Sequence, residues 1–401
     1  MRLLYWPQCS MRSYVDNRWL LSTDAQITKM AAYVANLPED WQWFWCLPHP
    51  EHADMEGARF LELENVHTRG FTWMDNVLEG RFYFPLDEVA DALDAVRPDV
   101  VLCEVPEHVR AFRCAMRRAK YSCPIIAMVE HVDFYEETKV DVPFMLRQVD
   151  GALTCDSLAF PLEGMRDEWW KATNAIMKTE RMDVTRAASR TVVWPGLTDS
   201  VEVDAARDDG LALREILRDI HGEFPILFFA GRLSDGQRTK FEEVLAASNV
   251  MYNSGFAHVL IVANPNEAKP WDWVRDQSAA YRPGPWGEVQ PPRSDYLAML
   301  WAADMVPVMY PLEKIYSVGA IEAAMAETLI VTDGPGPEWT LPAVTDPLQL
   351  ATFMRTYLQS DAAAELKRDA REEVLEQHGV AENITVVRET IEEVVAGARV
   401  A

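Results

Sequence analysis

Residues 311–338 read PLEKIYSVGAIEAAMAETLIVTDGPGPE. The run resolves into a loop, a short apolar helix, a strand and a Gly/Pro turn that ends on an acid. The predicted helix, Val318–Ala326, consists of small and apolar residues apart from Glu322. A carboxylate there is costly to bury without a partner, so Glu322 is expected to serve either a ligand or a structural hydrogen bond. Ser317 and Gly319 stand at the helix start, where the first backbone N–H groups have no partner inside the helix and favour an anion. Ser317 is read equally well as a plain N-cap. A carboxylate about one turn inside such a helix can accept two hydrogen bonds from a vicinal diol such as a ribose. The turn Gly334-Pro335-Gly336-Pro337-Glu338 either lets a ligand approach the backbone closely or is a simple turn.

Upstream, residues 224–240 read FPILFFAGRLSDGQRTK. A buried strand runs into Gly231-Arg232-Leu233, with Lys240 further along the same loop. The turn would bring backbone N–H groups near an anion, and Arg232 and Lys240 would supply the charge that a diphosphate needs. The alternative is an ordinary strand-to-helix turn with solvated cations. Neither GxGxxG nor GxxxxGK[ST] is present, which argues against a dinucleotide site or a P-loop. Glu130-His131-Val132-Asp133 ends a strand in the first half, with His131 either facing a ligand or satisfied structurally.

The rest of the chain repeats a strand–helix grammar. Strands are expected at Leu3–Trp6, Trp41–Cys46, Asp99–Val105, Pro124–Val129, Gly151–Thr154 and Thr191–Trp194, with helices at Asp24–Leu37, Leu86–Val96 and His108–Ala119. After a polar, linker-like stretch at Asp204–Gly210, strands recur at Pro225–Ala230, His258–Ala263, Met305–Met309 and Thr328–Thr332. The tail 362–400 reads as two charged amphipathic helices. The fold class is therefore α/β: two Rossmann-like domains, each with a parallel sheet, facing a central cleft, with C-terminal helices. Ligands in such sheets sit beyond the carboxyl ends of the strands.

Composition narrows the function classes. The chain has 401 residues, 49% hydrophobic and 25% charged, which suits a soluble protein of two domains. No apolar run reaches the ~20 residues that cross a bilayer, and the first residues, MRLLYWPQCSMRSYV, lack the apolar core of a signal peptide. A cytoplasmic location is expected. Cys9, Cys46, Cys103, Cys114, Cys123 and Cys155 form no CxxC pair, which suits reduced core thiols and no metal site. The net charge of −25 opposes nucleic acid and anionic membranes. Arg110, Arg113, Arg117, Arg118 and Lys120 are the local exception, read as a solvated face or as a contact for a phosphate-bearing acceptor. Trp41, Trp43 and Trp45 are expected to be half core and half surface. Trp271, Trp273 and Trp286, in a Pro-rich loop, would pack that loop down or stack on a sugar or base.

Taken in order, these segments resemble the retaining glycosyltransferases of the GT-B fold, family 4 in particular. FFAGRLSDGQRTK resembles that family's strand followed by G-R-L and a downstream Lys. SDYLAMLWAADMVPVMYP resembles its Y-x-x-A-D-x-x-x-x-P, and YSVGAIEAAMAETLIVTDGPGPE its G-F-G-L-x-x-x-E-A-M-A segment and the glycine turn beyond it. VDGALTCDS, TVVWPGLTD and VEHVD resemble its weaker N-domain motifs. The likeness runs from about Arg97 to Glu338 and is strongest after Phe224.

The resemblance implies an acceptor-side domain over 1–195 and a nucleotide-sugar domain over 210–375. A C-terminal helix, 376–401, would pack back toward the first domain. It implies transfer of a hexosyl or pentosyl group from a nucleotide-diphosphate sugar, with retention of configuration and without a metal or other cofactor. Gly231, Arg232 and Lys240 would hold the diphosphate, Ser317 and Val318 would offer N–H groups to it, and Glu322 would hold the ribose. His131 would approach the donor sugar. The family's first acid falls on Lys314, so Glu313 beside it is assigned the sugar contact. The helix reads A-E-T-L where the family has a small residue and Gly, and the loop PQCSMRSYVDNRW lacks the family's glycines. The acceptor is open between a small molecule, a glycan and a modified nucleic-acid base, the last disfavoured by charge. Two other readings are a catalytically silent nucleotide-sugar-binding protein and a nucleotide-sugar epimerase with Glu130 or Asp133 as base.

Overall fold

The computed structural model describes residues 1–7, 14–15, 18–72, 74–76, 81–83, 85–129, 134–136, 139–140, 142–180, 191–232, 240–264, 271–287, 291–309, 312, 317–334, 336–343 and 346–400. The chain divides into two compact units, Met1–Leu197 with Asn383–Ala401, and Thr198–Glu382. Among the described residues, no helix is long and apolar enough to cross a membrane.

The first unit is built on β1 (Arg2–Trp6), α1 (Ala25–Asn36), β2 (Gln42–Pro48), β3 (Val66–Phe71), α2 (Leu86–Val96), β4 (Val100–Cys103), α3 (Val109–Arg118), β5 (Ile125–Met128), α4 (Val142–Thr154), β6 (Ser157–Phe160), α5 (Glu163–Glu180) and β7 (Thr191–Val193). Its main sheet has the order β7-β6-β5-β4-β1-β2-β3, and the pairs are parallel throughout. A parallel sheet is covered on both faces, so its strands are continuously apolar. β4 and β5 are buried along their whole lengths. Trp41, Trp43 and Trp45 are all buried, at 4%, 0% and 0% exposure. Spaced two apart, they share one face, and Trp45 packs edge-on against Tyr5 and beside Phe60. The expected half-surface role is thus replaced by a core one.

The second unit contains α6 (Ser200–Ala205), α7 (Arg207–His221), β8 (Ile226–Arg232), α8 (Phe241–Asn253), β9 (Val259–Asn264), α9 (Trp271–Gln277), α10 (Arg293–Ala302), β10 (Met305–Val308), α11 (Val318–Met325), β11 (Leu329–Asp333), β12 (Leu341–Ala343), α12 (Pro347–Leu358), α13 (Ala363–His378) and the start of α14 (Val380–Val400). Its parallel sheet runs β9-β8-β10-β11-β12. Asp304 ties the amino ends of two of these strands to α7. Its carboxylate accepts from Ile226 N at 2.9 Å and from Arg214 Nη2 at 2.7 Å, while Arg214 Nη1 donates to Ala302 O at 2.7 Å. Where the chain enters and leaves this unit, Thr198 N donates to His378 O and Val380 N to Thr198 O.

Two local expectations are corrected. Gly151–Thr154 is not a strand but the last turn of α4, and the strand comes later, at β6. Buried Met145, Val149 and Ala152 follow a helical spacing. Gly151 is tolerated inside the helix because α4 abuts the turn Pro106–His108: a Cβ there would lie 1.9 Å from Pro106 O. Asp204–Gly210 is not a linker but the junction of α6 and α7. Its polar residues are the outer face, and Gly210 allows close packing on Trp301. Trp271 and Trp273 lie on α9 and pack against the core of this unit.

Gly151 gives a direct test of this packing. Alanine is the better helix former by about 1 kcal/mol, but overpacking against a backbone carbonyl costs roughly 1–3 kcal/mol. Gly151→Ala is expected to lower the melting temperature by several degrees in calorimetry. A variant as stable as the parent would show that the Pro106 carbonyl moves aside freely.

Candidate functional site

The site begins at α11. Its N-cap is Ser317, in extended conformation, whose Oγ accepts from Ala320 N at 3.2 Å. The cap satisfies one of the first N–H groups and leaves the positive end of the helix at Val318 and Gly319. From Ala320 to Met325 the helix is buried, Glu322 included, at 1% exposure.

Glu322 is held by Arg293, the first residue of α10. Arg293 Nη2 donates to Glu322 Oε1 at 2.5 Å. The same guanidinium grips Glu202 on α6 with both Nε and Nη2, at 3.1 and 3.0 Å. Two carboxylates therefore share one cation. The side chains of Glu202 and Arg293 keep 27% and 21% exposure and that of Glu322 keeps 2%. Burial pushes the Glu322 carboxyl above the ordinary carboxylate range; Arg293 opposes that push and Glu202 adds to it. Burial alone would lower the Arg293 guanidinium, but its two carboxylate partners outweigh that and raise it, so it stays charged.

Aromatic side chains surround this group. The Arg293 guanidinium lies 5.8 Å from the Tyr296 ring centre, and Tyr296 packs on Phe228 of β8 at 5.9 Å. The Tyr296 hydroxyl lies 2.8 Å from where a Cβ on Gly319 would be. Glycine at 319 thus lets Tyr296 reach the N-terminus of α11. Trp286 packs on the same Phe228 at 6.2 Å.

Charged residues also stand at and just beyond the carboxyl ends of β8 and β11. Gly231 and Arg232 end β8, with Arg232 in register with Asn264 after an irregularity that follows Phe229. Lys240 caps the start of α8 in the left-handed region, φ 45° and ψ 39°. A non-glycine residue there is uncommon and stores strain. Its Nζ pairs with Asp333 at the end of β11. In the glycine turn, Gly334 has φ 75° and Gly336 sits against the hydroxyls of Thr340 and Thr332. These two glycines serve the turn and its internal packing.

Of the residues expected from sequence, Ser317, Val318 and Glu322 lie together on α11, and Lys240 is paired at the end of β11. His131, Glu313 and Lys314 lie outside the described residues, as do Glu130 and Asp133. Sequence reasoning missed Arg293 and Glu202. A signal was available: a cation at the first position of a helix opposes the helix dipole, so Arg293 called for acidic partners. It also missed a buried pair in the first unit, Lys29 with Glu104 at 3.4 Å, just past the carboxyl end of β4. Nearby, Trp6 Nε1 donates to His108 Nδ1 at 3.1 Å.

The basic run on α3 resolves largely into structural pairs. Arg110 meets Asp150 at 3.2 Å, and Arg118 meets Asp87 and Arg113 meets Asp156, each at 2.5 Å. Arg113 also donates to the carbonyls of Thr154 and Cys123.

No family model matches the chain, and no curated protein matches it in sequence. Solved structures do match in fold. HepE of Anabaena, crystallised with UDP-glucose, aligns over 99% of this chain and 100% of its own, at 12% identity and a TM-score of 0.66. Sucrose-phosphate synthase of Thermosynechococcus elongatus aligns over 99% of each chain, at 13% identity and 0.65. The UDP-GlcNAc 2-epimerase of Neisseria meningitidis, bound to UDP-GlcNAc, aligns over 98% of this chain and 100% of its own, at 11% identity and 0.59. At such identities the likeness is one of fold: the chain has the two-domain α/β fold of GT-B glycosyltransferases.

Proposed function

We propose that this protein is a glycosyltransferase that moves a sugar from a nucleotide-diphosphate donor, a UDP-sugar in the first instance, to an acceptor with retention of configuration. The observation that carries the reading is Glu322, a carboxylate held within the second turn behind the capped N-terminus of α11. Its neighbourhood suits a nucleoside diphosphate: a diol-binding acid, a helix N-terminus, and Lys240 and Arg232 at the carboxyl end of β8 and just beyond. The fold likeness along the whole chain supports it, because HepE was crystallised with UDP-glucose.

In this reading the ribose meets Glu322, and the diphosphate meets the N–H groups at Val318 and the cations Arg232 and Lys240. The leaving diphosphate gathers negative charge as the glycosidic bond breaks. Fixed donors and cations aimed at it lower the barrier electrostatically, and the reading calls for no metal. His131 and Glu313 are proposed as the residues that face the transferred sugar. The acceptor would bind the first unit.

Epimerisation is the second reading, favoured by the likeness to the UDP-GlcNAc 2-epimerase. The two differ in products. Incubation with UDP-glucose and UDP-GlcNAc, followed by NMR, is expected to show UDP release and a free or transferred sugar with its anomeric configuration kept. An inverted sugar centre would select the epimerase. The absence of any turnover would leave the silent binding protein.

Charge-assisted hydrogen bonds contribute about 1.5–3 kcal/mol each. Arg232→Ala and Lys240→Ala are each expected to weaken UDP binding roughly ten- to a hundredfold, measured by titration calorimetry on folded protein. Unchanged affinity in both would remove the diphosphate assignment. Glu313→Gln is expected to lower turnover of the donor sugar while UDP affinity stays near that of the parent. Equal turnover would show that Glu313 does not face the sugar.

A further inference from the structure

We infer that Arg293 is a positioning residue for the nucleoside: it holds the Glu322 carboxylate ionised and directs one of its oxygens toward the ribose, with Glu202 as the counterweight that fixes the guanidinium. The inference rests on the reading of Glu322 as the ribose acid and extends it to residues outside the motif that suggested it.

The geometry supports an orienting role. Arg293 takes Glu322 Oε1 at 2.5 Å, which leaves Oε2 as the oxygen that a ribose hydroxyl would meet. Arg293 cannot swing freely, because Glu202 holds it through two separate nitrogens and Tyr296 lies beside it. The three groups come from α6, α10 and α11: Arg293 meets the carboxylate from α10, and Glu202 steadies Arg293 from α6. A ribose diol needs an ionised acceptor in a fixed direction, since hydrogen bonds to a charged acceptor are the stronger ones.

The surroundings make the charge state depend on this pair. From α10 the facing groups are Arg293 and, at the N-terminus of α11, Tyr296, and from α6 it is Glu202. From α13 it is Arg371, which bonds the Met325 carbonyl and Asp204. The strands β10 and β11 pack on α11 with Met305–Val308 and Leu329–Thr332, none of which titrates. Asp333 at the end of β11 is paired with Lys240. Among the described residues, Glu322 therefore has one close cation, Arg293, set against burial and one like charge.

Two substitutions should move the protonation of Glu322 in opposite directions. Arg293→Met removes the cation and raises the pH at which Glu322 ionises. Glu202→Gln removes the like charge and lowers it. Because binding needs the ionised form, affinity is lost as pH falls through that point. UDP affinity should be measured by calorimetry from pH 5 to 9 for the parent, Arg293→Met, Arg293→Lys and Glu202→Gln. Melting temperatures should be recorded alongside. The titration of UDP itself is common to all profiles and cancels in their ratios.

The acid limb is expected to move up by at least about one pH unit in Arg293→Met, tenfold in affinity at a pH on that limb. It should move up less in Arg293→Lys and move down in Glu202→Gln, and at pH 9 Arg293→Met should still bind UDP more weakly than the parent, because the ionised carboxylate is no longer oriented. If Arg293→Met does not fold, the opposite shifts of Arg293→Lys and Glu202→Gln decide. An acid limb that stays where it is in the folded variants would overturn the inference while leaving the nucleotide reading intact. A parent that binds no UDP at any pH would overturn both.

Discussion

The second unit turns on one cation shared by two acids. Arg293, at the first turn of α10, joins Glu202 on α6 to Glu322 on α11. Removing one partner from such a group leaves an uncompensated charge, which typically costs about 3–5 kcal/mol when buried. Replacing all of it with apolar side chains would often be neutral or better. Cohesion alone is therefore a weak reason to keep a carboxylate at Glu322, and its place near a helix N-terminus is a reason of another kind.

Two charges of the candidate site are already engaged by the protein's own groups. Glu322 is engaged by Arg293 and Lys240 by Asp333. These partners act differently under the proposed function. Arg293 occupies one carboxylate oxygen and can remain in place when a ribose arrives at the other. Asp333 competes with a diphosphate for the same ammonium, so Lys240 has to exchange one anion for another. Lys240 is also held in the left-handed backbone region. Strain of that sort persists only where the surrounding structure enforces it.

Much of the fold was legible in the residues. Leu86–Val96 matches its predicted span, and the strands around β1, β4, β5, β8, β10 and β11 fall within a few residues of their expected positions, because continuous apolar runs mark buried parallel strands. The failures came from glycine and polarity. Gly151 suggested a break, yet its lack of a Cβ serves a close helix contact with Pro106. The polar run from Asp204 to Gly210 suggested a linker, yet it is the exposed side of two helices. At the site, Ser317 and Glu322 were legible because cap and acid lie a few residues apart on one helix. Glu202 and Arg293 were not, because 91 residues separate them and only tertiary structure brings them together.

A crystal structure with UDP bound tests the central claim most directly. The account predicts a ribose hydroxyl within about 3 Å of Glu322 Oε2, Arg293 still on Oε1, and the diphosphate at Val318, Arg232 and Lys240 with the Lys240–Asp333 pair opened. UDP bound elsewhere, or a Glu322 sealed off by Arg293 with no contact to the nucleotide, would contradict it.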